Sequence, residues 1–176
     1  NRLETINSKL TWIDKLLPYL DNDLNKLVLA RKRSSTINFA LALIQAGKIV
    51  NVKGMASDAK VYAKQVLGFY KKGQRINFPT HQPELVFDMI EEWRAKKIKT
   101  LSDRNASTSR INEINDWAVC LQSLFIGIKK DEDDPVQQKL PQSWEEWKEN
   151  IEILSTLKRK GVIQVDTIHA SKGAEA

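Results

Sequence analysis

Residues 162 to 176 bring together side chains able to bind a phosphate. Val162, Ile163, Gln164 and Val165 have the character of an apolar strand. Asp166, Thr167, Ile168, His169, Ala170, Ser171, Lys172, Gly173, Ala174, Glu175 and Ala176 follow. Hydroxyls, a lysine ammonium and the backbone N–H groups of a starting helix are what phosphate oxygens seek. His169 beside them can donate a hydrogen bond to a nucleic-acid backbone. By residue type alone this is an anion site after a strand. The competing readings are that His169 is a structural hydrogen-bonder and that Lys172 only orients the loop.

Those side chains need a scaffold. Leu3, Ile6, Leu10, Ile13, Leu17 and Leu20 recur at helical spacing, which predicts an amphipathic helix over residues 2–20. Leu27, Val28, Leu29 and Ala30 form a short apolar run of buried-strand character. Arg31, Lys32, Arg33, Ser34, Ser35 and Thr36 follow as a basic stretch with capping hydroxyls. Ile37, Leu41 and Ile44 then carry a helix to Ala46, and Gly47 stands where a helix end favours a left-handed residue. Ile49, Val50, Asn51 and Val52 read as a second strand, closed by Gly54. Strand, helix and strand in so short a span make a βαβ unit, which builds parallel sheets.

The period then becomes helical. Ser57 is a candidate cap for a helix carrying Val61, Val66, Leu67 and Tyr70. Leu85, Val86, Met89, Ile90 and Trp93 mark a second helix; Ile111, Ile114, Ala118, Leu121 and Phe125 stripe a third over residues 109–126. Ser143 with Glu146 three residues on is a capping box for a last helix bearing Trp144, Trp147, Ile151, Leu154 and Leu157. The expected class is therefore α/β, a parallel sheet domain interrupted by a mostly α-helical insertion.

The string Thr167, Ile168, His169, Ala170, Ser171, Lys172, Gly173, x, Glu175 resembles motif V of the UvrD/Rep family of superfamily 1 DNA helicases. That family's pattern is Thr, Ile or Leu, His, two small residues, Lys, Gly, commonly Leu, then Glu. Ala174 departs from it, which removes some packing and leaves the polar roles intact. Residues 27 to 54 resemble the segment these helicases carry just before their second insertion domain: an apolar strand, an Arg, a polar loop, a helix ending near Ala-Gly, another strand and a Gly. Arg31 falls on the family arginine, and Arg33 falls where the family often has Asn.

The resemblance implies a C-terminal 2A/2B fragment. Residues 1–54 and 161–176 would belong to the RecA-like domain 2A, and residues 55–160 to a reduced 2B-like insertion. Thr167, His169, Arg31, Arg33 and Lys172 would contact single-stranded DNA near a duplex junction, and Gly173 and Glu175 would lie toward the nucleotide. The full-length enzyme would use ATP and Mg²⁺. This chain has no Gly-x-x-x-x-Gly-Lys-Ser/Thr phosphate loop, so it is expected to hold neither by itself and to have no catalytic residue and no ATPase activity of its own. The alternative is a catalytically inactive, helicase-derived module that binds nucleic acid or a protein.

Composition sets the outer bounds. In 176 residues, 41% are hydrophobic and 28% charged, as in ordinary globular chains. The formal charge of +6 favours a polyanionic partner. No apolar run is long enough to span a bilayer, and no signal-peptide pattern opens the chain, so an intracellular, cytoplasmic, DNA-associated setting is expected. Both ends read as cuts within a longer chain. Cys120, the only cysteine, lies in an apolar helical stripe and reads as a small core residue. Trp93, Trp117, Trp144 and Trp147 sit on similar stripes, so core packing is preferred to base stacking. The acidic run Asp131, Glu132, Asp133 and Asp134 matches no calcium loop, and no metal site is expected. The basic clusters at 94–99 and 158–160 fit either duplex DNA or solvated helix ends. Ser171 lacks the glycine-flanked elbow of a hydrolase nucleophile.

Overall fold

The computed structural model describes residues 15, 18–19, 26–68, 76–127, 140–155 and 162–168. Among them lie three strands, β1 (Lys26–Ala30), β2 (Val50–Val52) and β3 (Ile163–Thr167), and five long helices. The helices are α1 (Arg33–Gln45), α2 (Met55–Val66), α3 (Leu85–Asp103), α4 (Thr108–Ile126) and α5 (Trp144–Glu152). The chain is thus α/β with a parallel sheet, and four of the helices come between β2 and β3 in sequence.

β1 and β2, joined through α1, are not neighbours. The strand order is β1-β3-β2, all parallel, so the last strand fills the gap left by the first crossover. The register aligns Val28 with Val165 and Val165 with Val52 on one face, and Leu27 with Gln164 and Gln164 with Asn51 on the other. α1 covers the valine face through Ile37, Ala40 and Leu41, all buried. β1 had the character of a buried strand, but among the described residues it lies at the edge of the sheet, with Leu27 56% and Leu29 45% exposed. These two side chains lie on the face opposite the one that α1 covers. The outer edge of β2 is closed by the Val52 N–H donating to the Leu154 carbonyl at 2.8 Å.

Several helix starts differ from those read in the sequence. α2 begins at Met55 behind Gly54, whose φ of 74° is left-handed, so Ser57 sits inside the first turn. Its buried side is Ala56, Ala59, Ala63 and Val66, and Val61 faces solvent. α3 runs on from the expected stretch to Asp103. Ser143 caps α5 as expected, its Oγ accepting from the Glu146 N–H at 3.3 Å. The Glu146 carboxylate reaches back to the Gln142 N–H at 2.6 Å, one residue before the cap. Gly47, at φ 77°, ends α1 in the left-handed turn its position predicted.

One cluster of buried apolar side chains runs from Val50, Val165 and Ile37 through Ala59 and Trp117 to Trp147 and Ile151. Rings dominate its middle. Phe125 meets Phe87 at 5.4 Å and Trp147 at 5.2 Å, both edge to face, and Tyr62 lies against Trp93 and Trp117 at 5.4 and 5.1 Å. Such geometries suit the ring quadrupoles and add to the burial energy. Trp93, Trp117 and Trp147 are therefore core residues, with Trp144 half-buried beside them. Cys120 is fully buried, and burial, with Asp116 second, pushes its thiol pKa far up.

A candidate nucleic-acid interface at the carboxyl edge of the sheet

In an open parallel sheet, ligands bind outside the carboxyl ends of the strands, where loops and helix starts converge. Here those ends are in register. Ala30, the last residue of β1, pairs with Thr167, the last of β3. Arg31 and Ile168 therefore leave the sheet side by side. β2 ends at Val52, opposite Val165, and Lys53 and Gly54 follow it. Arg31, Lys32 and Lys53 are all exposed, so this rim carries three cations from two loops. Lys53 was missed in the sequence. The run of strand, lysine and glycine was its only signal, and that pattern also fits an ordinary turn.

The polar groups of the rim are braced from within. Asp166 is 5% exposed in the central strand, and its Oδ1 accepts the Thr167 N–H at 2.8 Å. Thr167 itself is half-buried. His169, Lys172, Gly173 and Glu175 lie outside the described residues.

Arg33 does not share the rim with Arg31. Its guanidinium turns to α4, with Nη2 3.2 Å from Glu113 Oε1 and the charge 5.7 Å from the Trp117 ring centroid. The backbone at this point is held by the same helix. Asp116 accepts the Arg33 N–H at 2.9 Å, the Ser34 N–H at 3.3 Å and the Ser34 hydroxyl. This replaces the local cap expected from the serines. The cap position is Lys32, which makes no side-chain cap bond, and the first turn carries no acid. Thr36 instead sends its hydroxyl back to the Lys32 carbonyl at 3.0 Å. Four unsatisfied N–H groups at a helix start need acceptors, and a carboxylate there also meets the positive end of the helix dipole. Glu113 and Asp116 were not singled out from sequence. The sequence carried no signal for them, because Ser34, Ser35 and Thr36 offered local caps and only the structure sets the helix start at Lys32.

The surrounding charges are otherwise engaged. The pKa of the Tyr62 hydroxyl is raised chiefly by burial and further by Glu113 and Asp58, with Arg33 opposing. In the basic cluster on α3, Arg94 pairs with Glu91 at 2.9 Å and bonds Asn115 at 3.0 Å, Lys96 pairs with Glu92, and Lys99 with Asp103. Lys96 holds the Glu92 carboxyl below its ordinary value through a hydrogen bond and its charge. The ion pairs lie within α3, and the Asn115 bond reaches α4; residues 94–99 sit in the body of the helix, whose last turn carries no basic residue, so they do not form a helix end. The clusters at 131–134 and 158–160 lie outside the described residues. A shallow depression lined by Ile76, Asn77, Phe78 and Thr80 holds none of the rim residues. Among the described residues, no group of His, Cys, Asp and Glu could hold a metal ion, and no helix is long and apolar enough to cross a membrane. The chain matches no family model, no curated protein and no solved structure.

Proposed function

We propose that this chain is part of an ATP-dependent superfamily 1 DNA helicase or translocase of the UvrD/Rep type. In this reading the parallel sheet belongs to a RecA-like domain, and the helices between β2 and β3 are its insertion. The carboxyl edge of the sheet contacts the backbone of a single strand. Arg31 supplies a charge to a phosphate, and Thr167 a hydroxyl at the neighbouring strand end. By the same resemblance, His169 and Lys172 would add strand contacts, and Gly173 and Glu175 would serve the nucleotide. The phosphates of that nucleotide and its Mg²⁺ would be held by a phosphate loop that this sequence lacks. Arg33 serves the scaffold in this reading, through Glu113 and Trp117.

One observation carries it. The two stretches that resemble the helicase family lie far apart in sequence, yet their strands pair directly and end in register at Ala30 and Thr167. A chance match of either stretch would not require that.

The test is binding of a fluorescent oligothymidine by anisotropy across a salt series. The chain should bind at low salt, with affinity falling steeply as salt rises. Arg31→Ala should weaken binding and make the log–log salt slope shallower by about 0.7, the value of one phosphate contact on a single strand. Absence of binding at low salt, or an unchanged slope in Arg31→Ala, refutes the proposal.

A further inference from the structure

We infer that Asp116 is a positioning residue for the strand-contacting loop, through which the helical layer sets where Arg31 points. The inference rests on the nucleic-acid reading of the rim. Its geometric basis is separate. The loop between β1 and α1 is only Arg31 and Lys32 long. One end is fixed by the pairing of Ala30 with Thr167. The other is fixed by Asp116 on α4, which takes both the Arg33 and the Ser34 N–H, while Glu113 and Trp117, on the same face of α4, hold the Arg33 side chain. Glu113, Asp116 and Trp117 are spaced at three and four residues, so they form one patch. No side-chain cap from the loop itself shares this work. A movement of α4 therefore moves the start of α1, and with it a two-residue loop that has no slack to absorb the shift. Nucleic acid bound at the rim and the placement of the helical layer are coupled.

Charge and position make opposite demands on Asp116, and this separates them. As a negative group near a polyanion site it weakens binding; as the anchor of the loop it strengthens it. Asp116→Asn keeps one oxygen, enough for the Ser34 N–H and hydroxyl, and gives up the charge and the second oxygen, which takes the Arg33 N–H. Asp116→Ala removes the charge and both oxygens. Oligothymidine binding is measured for both variants against the unsubstituted chain as the reference, at a temperature where circular dichroism shows all three folded.

The expected result is that Asp116→Asn binds at least as tightly as the reference. Asp116→Ala should bind at least about fivefold more weakly than Asp116→Asn, the lower end of ordinary coupling between sites. A merely structural role predicts equal binding once both are folded. Equal affinities, or tighter binding by Asp116→Ala, overturn the inference and leave the nucleic-acid reading standing. Failure of the unsubstituted chain to bind overturns both.

Discussion

Removing Asp116 should also cost the fold a measurable and dissectable amount. The carboxylate accepts two backbone N–H groups at the first and second positions of α1 and the hydroxyl of Ser34, which is only 8% exposed. Losing a side-chain cap costs about 1 kcal/mol, within a range of about 0.5–2. The charge at the helix start adds about 0.3–1 kcal/mol. Ser34, left buried without its acceptor, adds about 1–3 kcal/mol unless water reaches it. Asp116→Ala should therefore destabilise by about 2–4 kcal/mol, and Asp116→Asn by less, about 1–2 kcal/mol, because it keeps one acceptor oxygen and loses the other with the charge. Lys32→Ser in the Asp116→Ala background should recover about 1 kcal/mol, by restoring a local cap. Urea unfolding reads all three as shifts in midpoint at constant slope. A cost for Asp116→Ala below about 1 kcal/mol, or equal costs for alanine and asparagine, would refute the idea that this remote carboxylate caps α1.

Two further predictions concern the core and the helix ends. Gly127 closes α4 at φ 70° and ψ −161°, a region open almost only to glycine, and a Cβ there would lie 2.6 Å from Asn150 Nδ2. Gly127→Ala should cost about 1–3 kcal/mol by urea unfolding. Asn150→Ala in that background should relieve the contact and leave the backbone strain, so full recovery would show that the strain is negligible. The Cys120 thiol is held protonated in the fold by burial and by Asp116, so it binds its proton more tightly folded than unfolded. The stability this contributes is complete below the thiol's ordinary value of 9.0 and falls as pH rises above it, because only the unfolded chain then loses the proton. Cys120→Ala should flatten the loss of stability between pH 8 and pH 10; an unchanged slope would show that the thiol is not the source.

Periodicity made most of the elements legible. The stripes of α3 and α4, the capping serine of α5 and the left-handed Gly47 all answer to short-range rules, in which neighbours three or four residues apart decide the outcome. The apolar runs of β1, β2 and β3 were legible for the same reason. Helix starts were less so: hydroxyls at Ser34, Ser35 and Ser57 invited local caps that the chain does not use. Edge and centre were not legible at all. The four apolar residues at 27–30 look like a buried strand by composition, and only the tertiary structure sets β1 at the edge of the described sheet with Leu27 and Leu29 exposed on the face opposite α1.

The candidate site divides in the same way. Arg31 and Thr167 were singled out because each lies in a motif whose spacing is local, and the structure sets them at adjacent strand ends. Glu113 and Asp116 were not, because their roles arise from a contact between α1 and α4 across more than seventy positions, and no periodicity in either helix records it. By itself the sequence determined the basic charge, the α/β alternation and the residue types at each strand end, all properties of neighbours along the chain. Tertiary structure alone decided that β3 lies between β1 and β2, that Ala30 and Thr167 end together, and that Arg33 turns to the helical layer while Arg31 stays exposed at the rim. Those outcomes depend on which surfaces and unsatisfied polar groups meet when the chain closes. Burial and hydrogen bonding across long separations settle that, and local spacing does not.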